Sequence, residues 1–314
     1  MTYLEAVQFL KEHDDYLILT HKRPDGDTIG CAVGLCRALR ARGKTAWLLP
    51  SKGATALFRP YLEGVEAPED YVPGCVVSVD IASLGLLPQN AEPYRERIDL
   101  AIDHHPSNEG FARENCVEAD KAACGEILYK IVSELGPVTA EIALPLYVAV
   151  STDTGCFVYS NTTANTHRVA AALMETGIDY RTVNKRHFRT KSMNRLKVEA
   201  GMLAGMHLYE EGTVVIAAVT LDMVRALNAT EEDLEDIAAF LGQIQGVRHS
   251  VTIRQLEEEE CKLSMRTADD LNASEVCALL GGGGHAAAAG CTIPMGPVQA
   301  EEAILKAIRQ VKYG

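Results

Sequence analysis

Histidine and aspartate recur in this chain where apolar runs end. The run at 16–20 is followed by His21, Asp25 and Asp27, and the run at 75–79 by Asp80. The run at 98–102 leads into Asp103, His104 and His105, and an apolar segment from 139 runs out into Asp153. A single aspartate after a strand is explained equally well as a helix cap or turn former. That explanation leaves His21, His104 and His105 unaccounted for. Imidazole and carboxylate converging on one place form the donor set of manganese, iron or zinc. Asp25, Asp27, Asp80 and Asp153 bring four negative charges, which two dications balance and one does not. Two cations about 3.5–4 Å apart can activate water and clamp the oxygens of a phosphoryl group, so the chemistry expected is phosphate-ester hydrolysis.

A second concentration is the run of four glycines at 281–284, followed by His285, four alanines and Gly290. It lacks the Lys-Ser/Thr of a P-loop and follows a helical pattern, not a strand. Glycine lets backbone approach a ligand closely, and the small residues after His285 suit a helix N-terminus. Amide groups and an imidazole there make an expected phosphate site; the plain alternative is a flexible turn between helices. Residues 181–197 hold seven Arg or Lys and no Asp or Glu. Such a run is usually a solvated helix face, but its place between the two halves of the chain favours a phosphate-facing role. The histidines at 13, 167, 187, 207 and 249 sit in ordinary contexts. No G-x-S-x-G elbow is present and no cysteine has a catalytic setting, so covalent catalysis has no support.

These residues need elements to position them. Apolar strands at 16–20, 45–49, 75–79 and 98–102 alternate with helical patterns at 28–42, 123–135, 139–150 and 163–175. That alternation predicts a parallel sheet covered on both faces, with ligands bound beyond the carboxyl ends of its strands. A helical pattern then continues from the basic segment to about 208. A second α/β unit follows: strands at 213–220, 247–255 and 261–266, helices around 231–241 and 273–280, and a hairpin turn at the acidic 257–260.

The 314 residues favour two domains, and the net charge of −13 argues against a long nucleic-acid ligand, which needs a basic track. Nine cysteines, an odd number without C-x-x-C spacing, read as reduced core residues. No membrane span or signal peptide is expected, and the location expected is cytoplasmic.

Taken in order, His21-x-x-x-Asp25-x-Asp27, Asp80, Asp103-His104-His105, Asp153 and the GGGGH motif resemble the DHH phosphoesterase superfamily. The glycine motif resembles its first associated C-terminal domain, and the length and layout resemble the bifunctional oligoribonucleases that also act as phosphatases on 3′-phosphoadenosine 5′-phosphate. The resemblance covers nearly the whole chain. It implies an α/β fold with a parallel-sheet DHH domain at 1–185, a connector at 186–210 and a smaller α/β domain at 211–314, the active site lying in the cleft between the domains. It also implies two divalent ions, manganese first and magnesium or cobalt as alternatives. His21, Asp25 and Asp80 would hold one; Asp27, Asp80, His104 and Asp153 the other, with Asp80 shared. His105 would face the scissile phosphate and Asp103 would orient a neighbouring ligand. Gly282, Gly283, Gly284 and His285 would bind the nucleotide's phosphate, and Arg195 would touch the substrate. The expected substrates are short RNA, dinucleotides or a nucleotide, with no long duplex and no membrane partner, and a homodimer is compatible. A phosphodiesterase of cyclic or linear signalling dinucleotides is the nearest alternative. RecJ-like exonucleases are larger, and a silent nucleotide-binding module would be expected to lack ligands that are all present here. Cys31 departs from the serine common at that position.

Overall fold

The computed structural model describes residues 1–314, which divide into two compact units, Met1–Thr190 and Lys191–Gly314. The division falls inside the basic segment. The expected continuous helix is broken there: α6 (Tyr180–Asn184) runs into a π-helical turn at Lys185–Arg189, the chain extends at Thr190, and α7 (Met193–Ala204) starts afresh with Ser192 capping the Arg195 amide. Serine at an N-cap satisfies an amide that would otherwise lack a partner, which is why a new helix begins here.

The first unit contains α1 (Tyr3–Glu12), β1 (Tyr16–Leu19), α2 (Gly26–Ala41), β2 (Ala46–Leu48), β3 (Cys75–Val79), β4 (Leu100–Asp103), β5 (Glu114–Val117), α3 (Cys124–Leu135), α4 (Ala140–Asp153) and α5 (Ala164–Glu175), besides α6. Its sheet has the order β2-β1-β3-β4-β5 and is parallel throughout. Strands β1, β3 and β4 are buried along their whole length, as expected of a parallel sheet covered on both faces. One face carries a core shared with α1 to α5, while the other is closed by turns and 3₁₀ segments through residues such as Leu87, Ala91 and Ile98.

Three glycines on α2 decide how close α4 comes. A Cβ on Gly26 would lie 2.1 Å from the Thr152 hydroxyl, one on Gly30 would lie 2.2 Å from the Pro145 carbonyl, and one on Gly34 would lie 2.7 Å from the Leu146 side chain. Glycine costs a helix about 1 kcal/mol per position relative to alanine. Here that cost is offset by packing two buried helices closely. The stripe brings the start of α2, with Asp25 and Asp27, against the end of α4, with Asp153.

The second unit adds β6 (His207–Tyr209), β7 (Val214–Val219), α8 (Leu221–Leu227), β8 (His249–Glu257), β9 (Glu260–Thr267), α9 (Ala273–Ala278), β10 (Gly283–Gly284), β11 (Ala288–Ile293) and α10 (Pro297–Tyr313) to α7. Its sheet, in the order β10-β11-β9-β8-β7-β6, is antiparallel except for the β7–β8 pair. The acidic residues 257–260 turn the β8–β9 hairpin, as read from the sequence. Two expectations are corrected. The helix at 231–241 is a series of 3₁₀ turns interrupted where Asp236 takes a left-handed conformation (φ 51°). The glycine motif does not start a helix: Gly283 and Gly284 pair with Gly290 and Ala289 in a β-hairpin. Helix propensity of the alanines yields there to strand pairing against β9.

Candidate metal centre

Asp25 caps α2: its Oδ1 accepts from the amides of Asp27 (3.1 Å) and Thr28 (3.2 Å). The other oxygen, Oδ2, lies 3.5 Å from His21 Nε2. Capping and facing the histidine are thus done by different oxygens of one carboxylate. Asp27 is fixed differently. Its Oδ1 accepts from the Gly125 amide (2.9 Å) and the Cys31 thiol (3.2 Å), and its Oδ2 accepts from the Cys124 amide (2.6 Å). The start of α3 therefore holds Asp27, and Oδ2 keeps a lone pair directed among the other donors, 3.7 Å from His104 Nε2.

Asp80 follows β3 with φ at +58°, a conformation unfavourable for a residue with a side chain. Its amide donates to the Ile102 carbonyl, which retains the strained geometry. Asp80 Oδ2 lies 3.9 Å from His21 Nε2, and Oδ1 lies 3.5 Å from His104 Nε2. One carboxylate thus presents an oxygen to each of two histidines. His104 Nδ1 donates to the Lys121 carbonyl (3.1 Å), which leaves Nε2 facing Asp27, Asp80 and, at 3.6 Å, Asp153 Oδ2.

Asp103 is fully buried and belongs to none of the sets of ligand atoms. Its Oδ1 accepts from the His104 amide (2.8 Å) and from His105 Nδ1 (2.8 Å), and its Oδ2 from the Asn108 side-chain amide (2.6 Å). The bond to Asp103 fixes Nδ1 of His105 as the donor and leaves Nε2 as the uncommitted nitrogen.

The electrostatics describe a site crowded with negative charge. Burial and the neighbouring charges of Asp80 and Asp153 raise the Asp27 carboxyl well above its ordinary range. Burial, reinforced by Asp80 and Asp25, pushes Asp153 up to about 7 despite His104. Burial disfavours the charged His104, but the close Asp80 carboxylate and the charges of Asp27 and Asp153 outweigh it and raise the imidazole to about 10. The Asp103 bond, working against burial, raises His105. Without cations, protons must neutralise this cluster; dications are the other means of doing so.

The residues fit dications on a second count. Asp80 Oδ1 is buried and has no hydrogen-bond partner, an arrangement that costs free energy unless an ion completes it. Three sets of ligand atoms come within coordinating range of one another: His21, Asp25 and Asp80; Asp27, His104 and Asp153; Asp80, His104 and His105. All six expected ligands are in one cluster.

The remaining site residues lie in the second unit. His285 is exposed at the tip of the β10–β11 hairpin, its amide donating to the Ala288 carbonyl at 2.8 Å. Gly282 and Gly284 are required by space: a Cβ on Gly282 would lie 2.3 Å from the Gly290 carbonyl, and Gly284 has a φ of +149°. Gly283 faces open space. The Arg195 guanidinium is engaged by Glu199 (2.8 Å) and by the carbonyls of Asp233 and Glu235, so most of its donors are spent within its own unit. Asn108, Lys121, Cys124 and Gly125 also serve the site, acting on the ligands through backbone groups or through Asp103, without a residue pattern that marks them for it. Only the glycine spacing 26-30-34 left a readable signal.

A parallel α/β domain with a His/Asp cluster of this kind at the carboxyl edge of its strands defines a metal-dependent hydrolase of phosphate esters. The chain belongs to the DHH family: residues 15–150 match the DHH family, N-terminal domain, and residues 211–313 match the DHHA1 domain. It is 34% identical to the bifunctional oligoribonuclease and PAP phosphatase NrnA of Thermus thermophilus, over 93% of this chain and 89% of that one. Among solved structures, an exopolyphosphatase-related protein from Bacteroides fragilis superposes with a TM-score of 0.89 at 21% identity, over 99% of this chain and 96% of that one. RecJ from Thermus thermophilus in complex with Mn2+ superposes with a TM-score of 0.50 at 13% identity, over 98% of this chain and 55% of that one.

Proposed function

We propose that this chain hydrolyses oligoribonucleotides of two to about five nucleotides to mononucleotides and removes the 3′-phosphate of 3′-phosphoadenosine 5′-phosphate. The observation that carries the reading is Asp80, whose two oxygens face two histidines and whose Oδ1 is buried without a partner. The relative named as an oligoribonuclease and PAP phosphatase supports the choice of substrate.

In this reading His21, Asp25 and Asp80 hold one dication, and Asp27, Asp80, His104 and Asp153 the other. Manganese is our assignment, supported by the mixed imidazole and carboxylate donors. Two bound dications supply Lewis acidity toward the phosphoryl oxygens and a water that ionises near neutral pH. The chain does the rest. The Asp103 bond to Nδ1–H favours the imidazolium of His105, whose Nε2–H can then donate to the scissile phosphate as charge develops there. The start of α3 keeps Asp27 oriented, and Lys121 keeps His104 in the ligating tautomer. We assign the phosphate of the bound nucleotide to the hairpin of Gly282, Gly283, Gly284 and His285. Arg195, held by Glu199, serves mainly to fix the 233–235 loop beside it.

The test is a substrate panel before and after chelation. Chelated enzyme should be inert, and manganese should restore release of mononucleotides from the dinucleotide pApA and of phosphate from 3′-phosphoadenosine 5′-phosphate. Restored activity confined to cyclic di-AMP would replace this reading with the signalling phosphodiesterase.

A further inference from the structure

The loop after Asp153 has a conformation that the metal centre alone does not require. Gly155, Cys156 and Phe157 all have positive φ, at 55°, 56° and 68°. Two of the three carry side chains, and left-handed backbone is unfavourable for both, most of all for an aromatic residue. Strain of this kind persists only where surrounding contacts enforce it. Here the Cys156 amide donates to Ser151 O (2.7 Å), and those of Val158 and Tyr159 donate to Thr154 O (2.9 and 3.0 Å). Asn161 donates to Asp153 O (3.1 Å) and to Ala122 O (3.0 Å). Phe157 is packed between Tyr147 and His167, with ring centroids 6.2 and 5.2 Å away.

The consequence is a reversal of the usual economy of apolar groups. Phe157 turns inward, and the next two residues turn outward: Val158 is 80% exposed and Tyr159 54% exposed. The Tyr159 ring covers Gly155, two residues beyond Asp153, so closely that a Cβ there would lie 2.4 Å from ring carbons. An apolar patch is thereby held on braced backbone at the edge of a highly polar site. Apolar groups rigidly displayed beside a phosphate-hydrolysing centre have an evident partner in the other half of a nucleotide.

Resting on the nucleotide reading above, we propose that Tyr159, with Val158 beside it, is the platform on which one nucleobase of the substrate stacks. The π-face of tyrosine accepts any base, so the platform confers a preference for nucleotides over other phosphate esters without choosing among bases. A single ring holds a single base, which suits substrates of very few nucleotides.

The experiment compares pApA with the same dinucleotide lacking both bases, each in manganese buffer. Losing an aromatic stacking partner costs roughly 5- to 150-fold per base. Tyr159→Leu, which keeps an apolar cover over Gly155, should raise KM for pApA about tenfold or more while bound manganese and Tm stay at wild-type values. Tyr159→Phe should restore the wild-type KM. On the abasic dinucleotide, wild type and Tyr159→Leu should show the same kcat/KM. An unchanged KM for pApA in Tyr159→Leu, or an equal loss on the abasic compound, would overturn the platform and leave the proposed function standing. A wild-type enzyme that cleaves the abasic dinucleotide but not pApA would overturn both.

Discussion

Asp80 is the residue on which the metal centre turns. Its backbone is held left-handed, its side chain is buried, and its two oxygens diverge toward His21 and His104. Asparagine tolerates the same backbone conformation, so Asp80→Asn removes charge with little change in fold. The expected result is loss of bound manganese, measured by elemental analysis, and a fall in turnover beyond the ~10–100-fold typical of losing an outer hydrogen-bonding partner. Near-normal activity would contradict a shared carboxylate. His187 offers a separate test, at some distance from this chemistry in sequence. Burial, with the nearby Arg186 charge, lowers its pKa from 6.5 to about 4. Its Nε2 meets the Tyr61 hydroxyl at 2.9 Å, and its Nδ1 is buried without a partner. The folded state therefore binds fewer protons here than the unfolded state, and stability should fall as pH drops from about 6.5 toward 4. His187→Phe should show a shallower loss of Tm across that window than wild type. Among single residues, the ligand set was legible because histidines beside aspartates at strand ends are hard to explain as caps alone. The division of labour within Asp25, one oxygen capping and one facing His21, was not, because it depends on rotamer and helix start together. Nor was the half-buried position of His187, which lies in a segment whose composition reads as a solvated face.

Elements place these residues, and the pairing of α2 with α4 does most of it. Gly30 lies against backbone, the Pro145 carbonyl, whereas Gly34 lies against the flexible Leu146 side chain. Gly30→Ala must therefore push the helices apart, with an overpacking cost of about 1–3 kcal/mol, and should also weaken manganese binding by displacing Asp153 from Asp27. Gly34→Ala should be milder, since Leu146 can shift and alanine favours the helix. Thermal unfolding with and without manganese measures both; equal effects of the two substitutions would contradict this view of the interface. Strands β1 to β4 and β7 to β9 are legible from their apolar runs, whereas β5, β6, β10 and β11, short or rich in polar and small residues, are not. The small residues after His285 suit a helix N-terminus, but that stretch forms a strand paired with β9, which no local pattern announces. The basic segment was read as one helix because its periodicity is unbroken, yet Ser192 starts a new one.

For the whole molecule the governing quantities are charge and the number of cations available to one strand of nucleic acid. The net charge is −13. The single acid-free basic stretch is divided between the two units, and of its residues Lys191 and Arg195 are tied to Glu199 at 2.9 and 2.8 Å. No helix is long and apolar enough to cross a membrane. A strand with many phosphates in contact needs a longer track of cations than this, and such contacts would make binding steeply salt-dependent. Length of substrate therefore tests the account most directly. The measurement is kcat/KM at fixed salt on RNA of two, five and roughly twenty nucleotides in manganese buffer. The account expects efficient cleavage of the two shorter substrates and no gain with further length; efficiency that climbs to the longest RNA and collapses with added salt would contradict it.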